Sequence, residues 1–304
     1  MKNEETGHQK FKSLTEAHRV LGLPKPQHPL ISLQNNTRPG IVVSRPCDPH
    51  VLSFYKISYK LGGKLKYGQN YYDFDQGGLL FASPNQLIGG NNDRTQECSL
   101  YTLLIHPDFF WNFPLAKKIR QYGFFSYSAN EALHLSENEK TTIISIFNMI
   151  EGELNSRIDD LSQAVVISQI ELLLNYADRF YKRQFITRKA VNNDLLQRLE
   201  DLVNNYFNSE TSSTQGLPTV QYLADHLNVS PSYLSDMLRS LIGQNAQQYI
   251  HNALIEKAKE KLSTTTLSVS EVAYALGFEH SQSFSKLFKS KTKVSPVEFR
   301  RSFN

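Results

Sequence analysis

The last twenty-five residues hold Lys286, Lys289, Lys291, Lys293, Arg300 and Arg301 against the single acid Glu298. Cations gathered this densely neutralise a line of phosphates and release the counterions condensed on a nucleic acid. The whole chain has 304 residues with 33 Lys+Arg against 29 Asp+Glu, a formal net charge of +4. Its basic surplus is therefore a local one, and placement rather than total charge points to a polyanion.

Other chemistries find no support in residue spacing. The two cysteines, Cys47 and Cys98, form no CxxC or Cys/His zinc pattern and no disulfide framework, so a reducing compartment is expected. The nine histidines (His8, His18, His28, His50, His106, His134, His226, His251 and His280) are scattered, and only His50 and His106 flank a strand region. No HxH pair with a nearby carboxylate exists to hold a catalytic metal, so no metal, no cofactor and no enzymatic activity are expected. The start of the chain, Met1 to Lys12, is polar where a secretory signal needs an apolar stretch, and no run reaches about 18 apolar residues. A cytoplasmic protein without a membrane partner is expected.

The elements that position the basic cluster are helical. Leu223-Ala224, Leu227, Val229, Leu234 and Leu238 recur as Val272-Ala273, Leu276, Phe278, Phe284 and Phe288, offset by 49 residues before the turn and 50 after it. Each copy reads as a helix with a small alanine at the crossing point, a tight turn, and a second helix with an apolar inner face. Ser230-Pro231, Ser268 with Glu271, and Ser295-Pro296 with Glu298 give N-caps, N1 prolines and capping boxes at the expected starts. Between the copies, residues 245–263 carry the stripe Ile250, Leu254, Ile255, Ala258 and Leu262. Such a helix is about 28 Å long, near the ~34 Å turn of a B-form duplex.

Residues 194–304 resemble the tandem helix-turn-helix domain of AraC/XylS-type transcriptional regulators. The resemblance is carried by Ser230-Pro231-Ser232-Tyr233-Leu234-Ser235, Ala273-Tyr274-Ala275-Leu276-Gly277-Phe278, Ser283-Phe284-Ser285-Lys286-Leu287-Phe288-Lys289 and the closing Ser295-Pro296 and Phe299-Arg300. It implies that two recognition helices enter adjacent major grooves of double-stranded DNA, in units at 219–242 and 268–292 joined by a linker helix at 245–263. By position, the implied base-reading residues are Ser232, Ser235 and Asp236 in the first unit and Ser281, Gln282 and Lys286 in the second. Gln282 suits adenine, Lys286 guanine, and Asp236 cytosine N4. Arg239, Lys289 and Lys291 are assigned to phosphate. RNA polymerase is a further partner for such a regulator. Two positions depart from the family pattern: Leu254 stands where a linker-helix arginine is common, and Lys293 where a glycine is usual.

The same resemblance implies an N-terminal cupin-like β-barrel with trailing long helices, an α+β multidomain chain overall. Residues 1–50, rich in proline, read as an arm, 51–112 as the barrel, and 113–188 as a helical dimerisation region. Val51, Ser53, Tyr55, Ile57, Tyr59 and Leu61 alternate as a strand, Gly62-Gly63 reads as a hairpin turn, and Ser99 to Ile105 as a further strand. Tyr55, Tyr59, Tyr67 and Tyr71 fall on the inferred inner faces of two strands. They either line a pocket for a small organic effector or pack the core with their hydroxyls satisfied. After Ser136 and Glu139, a capping box, Ile143, Ile146, Phe147, Ile150 and Leu154 form one stripe. The helix from Leu161 to about Tyr181 is too apolar for one stripe; it is either sandwiched in its own domain or joins a homodimer. Besides a DNA-binding regulator, the alternatives are a cupin-type metalloenzyme with a helical extension, which lacks its ligand motif, and a protein-interaction module.

Overall fold

The computed structural model describes residues 9–20, 23–36, 50–60, 64–67, 70–73, 77–88, 99–128, 131–156, 159–209 and 211–303. Helix and sheet are mixed, and the chain divides into two compact units, Met1–Gln184 and Phe185–Asn304. Cys47, Cys98 and the Gly62-Gly63 turn lie outside the described residues.

In the first unit the strands are β1 (Gln9–Phe11), β2 (Ile31–Asn35), β3 (His50–Leu52), β4 (Tyr55–Lys60), β5 (Lys64–Tyr67), β6 (Asn70–Asp73), β7 (Gly78–Ala82), β8 (Leu87–Ile88), β9 (Ser99–Ile105) and β10 (Leu133–His134). The helices are α1 (Leu14–Val20), α2 (Leu115–Lys118), α3 (Glu137–Leu154) and α4 (Ser162–Thr187), with short 3-10 turns between Pro107 and Ser126. The main sheet is antiparallel in the order β10-β7-β4-β9-β2, with Ile57 opposite Phe81 on one side and Leu103 on the other. Side chains alternate across a strand, so Ile57, Tyr59, Phe81, Tyr101 and Leu103 share one face. Helices cover that face: Tyr101 stacks on Phe147 of α3 with ring centroids 5.0 Å apart, and Phe81 packs on Phe124, Phe125 and Tyr181. On the opposite face Leu104 joins Phe11, Leu14, Ala17, Leu52 and Phe54 in a second buried cluster.

Four expectations are corrected here. Among the described residues the strands form three separate open sheets, β1-β3-β8, the five-stranded sheet and the β5-β6 pair, and not a closed β-barrel. The single strand read from Val51 to Leu61 breaks at Ser53-Phe54, because Phe54 is fully buried in the Leu104 cluster and the chain changes sheets there. The described part of residues 9–36 is no arm. β2 pairs along its whole length with β9, and the buried His18 ring lies 2.5 Å from the Pro24 carbonyl through Nδ1 and 2.8 Å from the Ser32 hydroxyl through Nε2. Nor do the four tyrosines fall on two neighbouring strands of one sheet. Tyr55 and Tyr59 are buried in the layer between main sheet and helices, whereas Tyr67 pairs with Asn70 and Tyr71 with Lys66 in a sheet that does not include β4.

α3 begins as its sequence dictates, with Ser136 and Glu139 in a capping box. The Glu139 carboxylate also receives Arg183 of α4, whose Nη2 donates at 2.6 Å and also bonds the His134 carbonyl of β10, so this arginine ties α4 to the sheet layer. On α4, Val166, Ile167, Ile170, Leu173, Leu174 and Ala177 are buried, while Val165 and Leu172, and Leu161 just before the helix, are exposed.

The second unit has no strand among the described residues. Its helices are α5 (Lys189–Asn208), α6 (Thr211–Gln215), α7 (Val220–Leu227), α8 (Pro231–Ile242), α9 (Ala246–Thr264), α10 (Val269–Ala275), α11 (Ser281–Thr292) and α12 (Pro296–Arg301). The sequence repeat is its core: Leu223, Ala224, Leu227, Leu234 and Leu238 in one helix pair, and Val272, Ala273, Leu276, Phe278, Phe284 and Phe288 in the other, are all buried. α9 contributes Ile250, Leu254, Ile255, Ala258 and Leu262 to the same core. Each large apolar side chain among them contributes about 1.5–3 kcal/mol on burial. Between α7 and α8 the chain reverses through Asn228 in the left-handed region (φ 57°), and between α10 and α11 through Gly277 (φ 91°). The extra residue of the second copy is Glu279, placed between Phe278 and the N-cap His280.

Candidate nucleic-acid interface

α8 starts where Ser230 accepts the Tyr233 amide at 3.2 Å and Pro231 takes the first helical position. Burial of Leu234, Met237 and Leu238 leaves the other side of the helix to Ser232, Ser235, Asp236 and Arg239. The first three are half-buried and Arg239 is exposed. Asp236 and Arg239 meet each other at 2.5 Å, one turn apart. An exposed ion pair of this kind is worth at most about 1 kcal/mol, so Arg239 can exchange its carboxylate for a phosphate.

α11 buries Phe284 and Phe288, which turns Gln282, Lys286 and Lys289 outward, all exposed, with Ser281 half-buried in the first turn. The N-cap His280 makes no capping bond, so the first turn of α11 keeps backbone N–H groups without a side-chain acceptor. An amide and a lysine one turn apart on such a face can pair with adenine and guanine edges. Lys291 is placed differently. Its Nζ donates to Asn252 Oδ1 on α9 at 3.1 Å, and Asn252 Nδ2 in turn donates to Gln244 Oε1. Beside this chain His251 lies 2.9 Å from Gln247; burial, and then the charge of Lys291, hold its imidazole below the ordinary histidine range. Lys291, exposed like Lys286 and Lys289, differs from them in linking α11 to α9.

Lys293 occupies the glycine position after α11 and adopts the left-handed conformation there, φ 69° and ψ −5°. A side chain in that region costs about 1–2 kcal/mol relative to glycine, and the helix still ends as the family pattern implies. Arg300, another member of the basic run, serves the fold as well: its Nε donates to the Leu262 carbonyl of α9 at 3.1 Å and anchors α12. Leu254, at the family's arginine position, is fully buried, so packing replaces a polar contact.

The predicted caps form. Ser268 with Glu271 and Ser295 with Glu298 are reciprocal capping boxes, and the backbone amides and hydroxyls of those serines hold both carboxyls below the ordinary glutamate range. Sequence reasoning misses one further box, Asn245 with Gln248, which opens α9. The N-x-x-Q spacing is the available signal. The bracing residues Gln244 and Asn252 carry no such signal, because their bonds are set by how α9 packs on its neighbours. Among the described residues no group of His, Cys, Asp and Glu side chains is placed to hold a metal, and no helix is long and apolar enough to cross a membrane.

Comparison with known proteins points to the same two segments. Residues 223–302 match a helix-turn-helix domain family, and residues 41–170 match an AraC-like ligand binding domain family. An uncharacterised HTH-type transcriptional regulator of Bacillus subtilis, YfiF, is 24% identical over 260 residues, covering 83% of this chain and 78% of that protein. A second such regulator, YijO of Escherichia coli, is 32% identical over 108 residues, 36% of this chain and 37% of that protein. Among solved structures, the C-terminal domain of the response regulator yesN from Fusobacterium nucleatum is 33% identical, covering 33% of this chain and 96% of that one, with a TM-score of 0.29. The match to an AraC-like ligand binding domain followed by the match to a helix-turn-helix domain makes this chain a member of the AraC family of DNA-binding transcriptional regulators.

Proposed function

We propose that α7–α8 and α10–α11 act as tandem helix-turn-helix units that seat α8 and α11 in successive major grooves of one DNA duplex. The carrying observation is the placement of Ser232, Asp236, Gln282 and Lys286 opposite the buried residues of the two second helices, with Ser235 flanking them on α8 and Ser281 half-buried in the first turn of α11. In this reading those six side chains face base edges, and Arg239 and Lys289 bind phosphate. Lys291 has one of its three ammonium protons engaged with Asn252, which ties its reach toward phosphate to α9. The spacing supports it: α9 has 19 residues and is about 28 Å long. No catalytic step enters this reading.

The first unit is proposed to regulate this binding in the cytoplasm, with a small organic effector as the signal and RNA polymerase as the downstream contact. The match of residues 41–170 to a ligand-binding family supports the effector. A second copy of this chain is the proposed partner of α4. Leu161, Val165 and Leu172 leave their apolar side chains exposed beside Met149 of α3, around an open groove of about 400 Å³.

Selection of bound duplexes from a random library tests the proposal. The expected result is an enriched motif in two parts, about one helical turn apart centre to centre, with affinity falling steeply as salt is added. Binding with no recurring sequence, or affinity indifferent to salt, overturns it.

A further inference from the structure

The segment that precedes the first helix pair is packed on the turn of the second. Ser212 in α6 is 1% exposed, and its hydroxyl donates to the carbonyl of Ala275, the last residue of α10, at 2.9 Å. Carbonyls at the end of a helix lack intrahelical partners, so this bond meets an acceptor that must be satisfied from outside the helix. The Gly216 amide closes on the Ser212 carbonyl at 3.1 Å, and the Tyr206 hydroxyl of α5 donates to the Gly216 carbonyl at 2.9 Å. Gly277 completes the contact from the other side. A Cβ added there would lie 2.6 Å from the Gly216 carbonyl carbon and 2.6 Å from the Ser212 carbonyl oxygen, which is backbone against backbone with no room for a side chain.

The two helix pairs are therefore tied through α6 as well as through α9. α9 joins them along the chain and meets α10 through the loop at 265–268. The other end of α10, from which α11 departs, is where α6 sits, and α6 is held in turn by α5, which packs on α7 and α9. The direction of α11 depends on the turn at its root as well as on its contacts with α9, and that turn is packed against residues that precede the first pair in sequence.

We infer that Ser212 is a positioning residue for DNA recognition: its bond to Ala275, seated against Gly277, sets the angle at which α11 meets the bases. This rests on the tandem reading proposed above. The test uses the full-length chain and the two-part duplex that it selects, measuring base discrimination separately in the parts read by α8 and by α11. Ser212→Ala is expected to lower discrimination in the α11 part by roughly ten-fold and to leave the α8 part as it was. Gly277→Ala is expected to do the same more severely. Gly243→Ala is the control: Gly243 also has positive φ, 72°, but a Cβ there meets nothing within 4 Å, so it adds backbone strain without touching α6. It is expected to spare the α11 part. Should Gly277→Ala fail to fold, Ser212→Ala decides alone. Loss shared equally by both parts, or unchanged discrimination in the α11 part, overturns the inference while the tandem reading stands. A wild-type chain that selects no two-part motif overturns the tandem reading and this inference with it.

Discussion

The hydroxyl of Tyr59 is buried in the sheet–helix layer without a protein hydrogen-bond partner. A buried unsatisfied polar group costs about 1–3 kcal/mol, so Tyr59→Phe is expected to raise stability by about 1 kcal/mol, read as a higher denaturant midpoint. Burial first, and then the nearby Glu137 and Tyr101, push this phenol up to about 12 from an ordinary value of 10.0. A group that ionises later in the folded state stabilises fully below its unfolded value and loses that contribution as pH rises toward the folded one. Alkaline destabilisation between pH 10 and about 12 should therefore be shallower in Tyr59→Phe than in the parent chain. A variant less stable than the parent at neutral pH would show that the hydroxyl makes a favourable contact. On the reading face, Gln282 is the exposed amide best suited to a single base. Gln282→Ala is expected to relax preference at one position by about 1–3 kcal/mol, measured on single-base variants of the selected duplex, and unchanged preference would remove its role.

Elements differ in how far they can be read from residues alone. Both helix pairs are legible because their signals are local: an apolar period and an alanine at the crossing in each, Ser230-Pro231 opening the second helix of the first pair, and Ser268 three residues before Glu271 in the second. The sheet is not, because pairing is set over long separations. β2, hidden in a proline-rich stretch, owes its place to β9, and the break after β3 owes its position to the burial of Phe54. The same limit hides the structural duties of Lys291 and Arg300, which count as charges in sequence but bond to Asn252 and to the Leu262 carbonyl across the fold. That difference is measurable. Lys289→Ala should weaken binding to all duplexes alike and lower the salt slope by about 1. Lys291→Ala should change the slope less, since its ammonium is engaged with α9, and equal slope changes would contradict that placement. The capping boxes predict an acid dependence of known sign. Glu271 is held below the ordinary 4.5 by the Ser268 amide and hydroxyl, so its ionised form stabilises above that pH and the contribution fades as pH falls through the lowered value. Thermal melts of Glu271→Gln should lie below those of the parent at pH 7 and converge with them in stronger acid.

At the scale of the whole molecule, α4 carries more apolar surface than one chain covers. The residues it buries, Val166, Ile170, Leu173, Leu174 and Ala177, already form a full amphipathic stripe, and Leu161, Val165 and Leu172 lie outside it. Their spacing of four and seven residues is that of a seam between two helices. With Met149 they rim the open groove, which Gln169 also lines and where its buried Oε1 has no hydrogen-bond partner. A second α4 laid along the seam would cover the leucines and bring its own polar side chains, Ser168 among them, toward that orphaned oxygen. Dimerisation would also change DNA binding through geometry. Two linked copies on two adjacent sites bind with an effective concentration set by their tether, which raises avidity by about 10²-fold or more without altering either interface. The double variant Val165→Asp with Leu172→Asp places two charges in the seam and touches neither helix pair. It is expected to halve the mass seen by light scattering and to lose that avidity on duplexes carrying two motifs, while affinity for a single motif stays the same. A parent chain already monomeric at micromolar concentration would leave α4 without this partner. Equal loss on one-motif and two-motif duplexes would locate the defect in folding instead, because avidity belongs only to the pair.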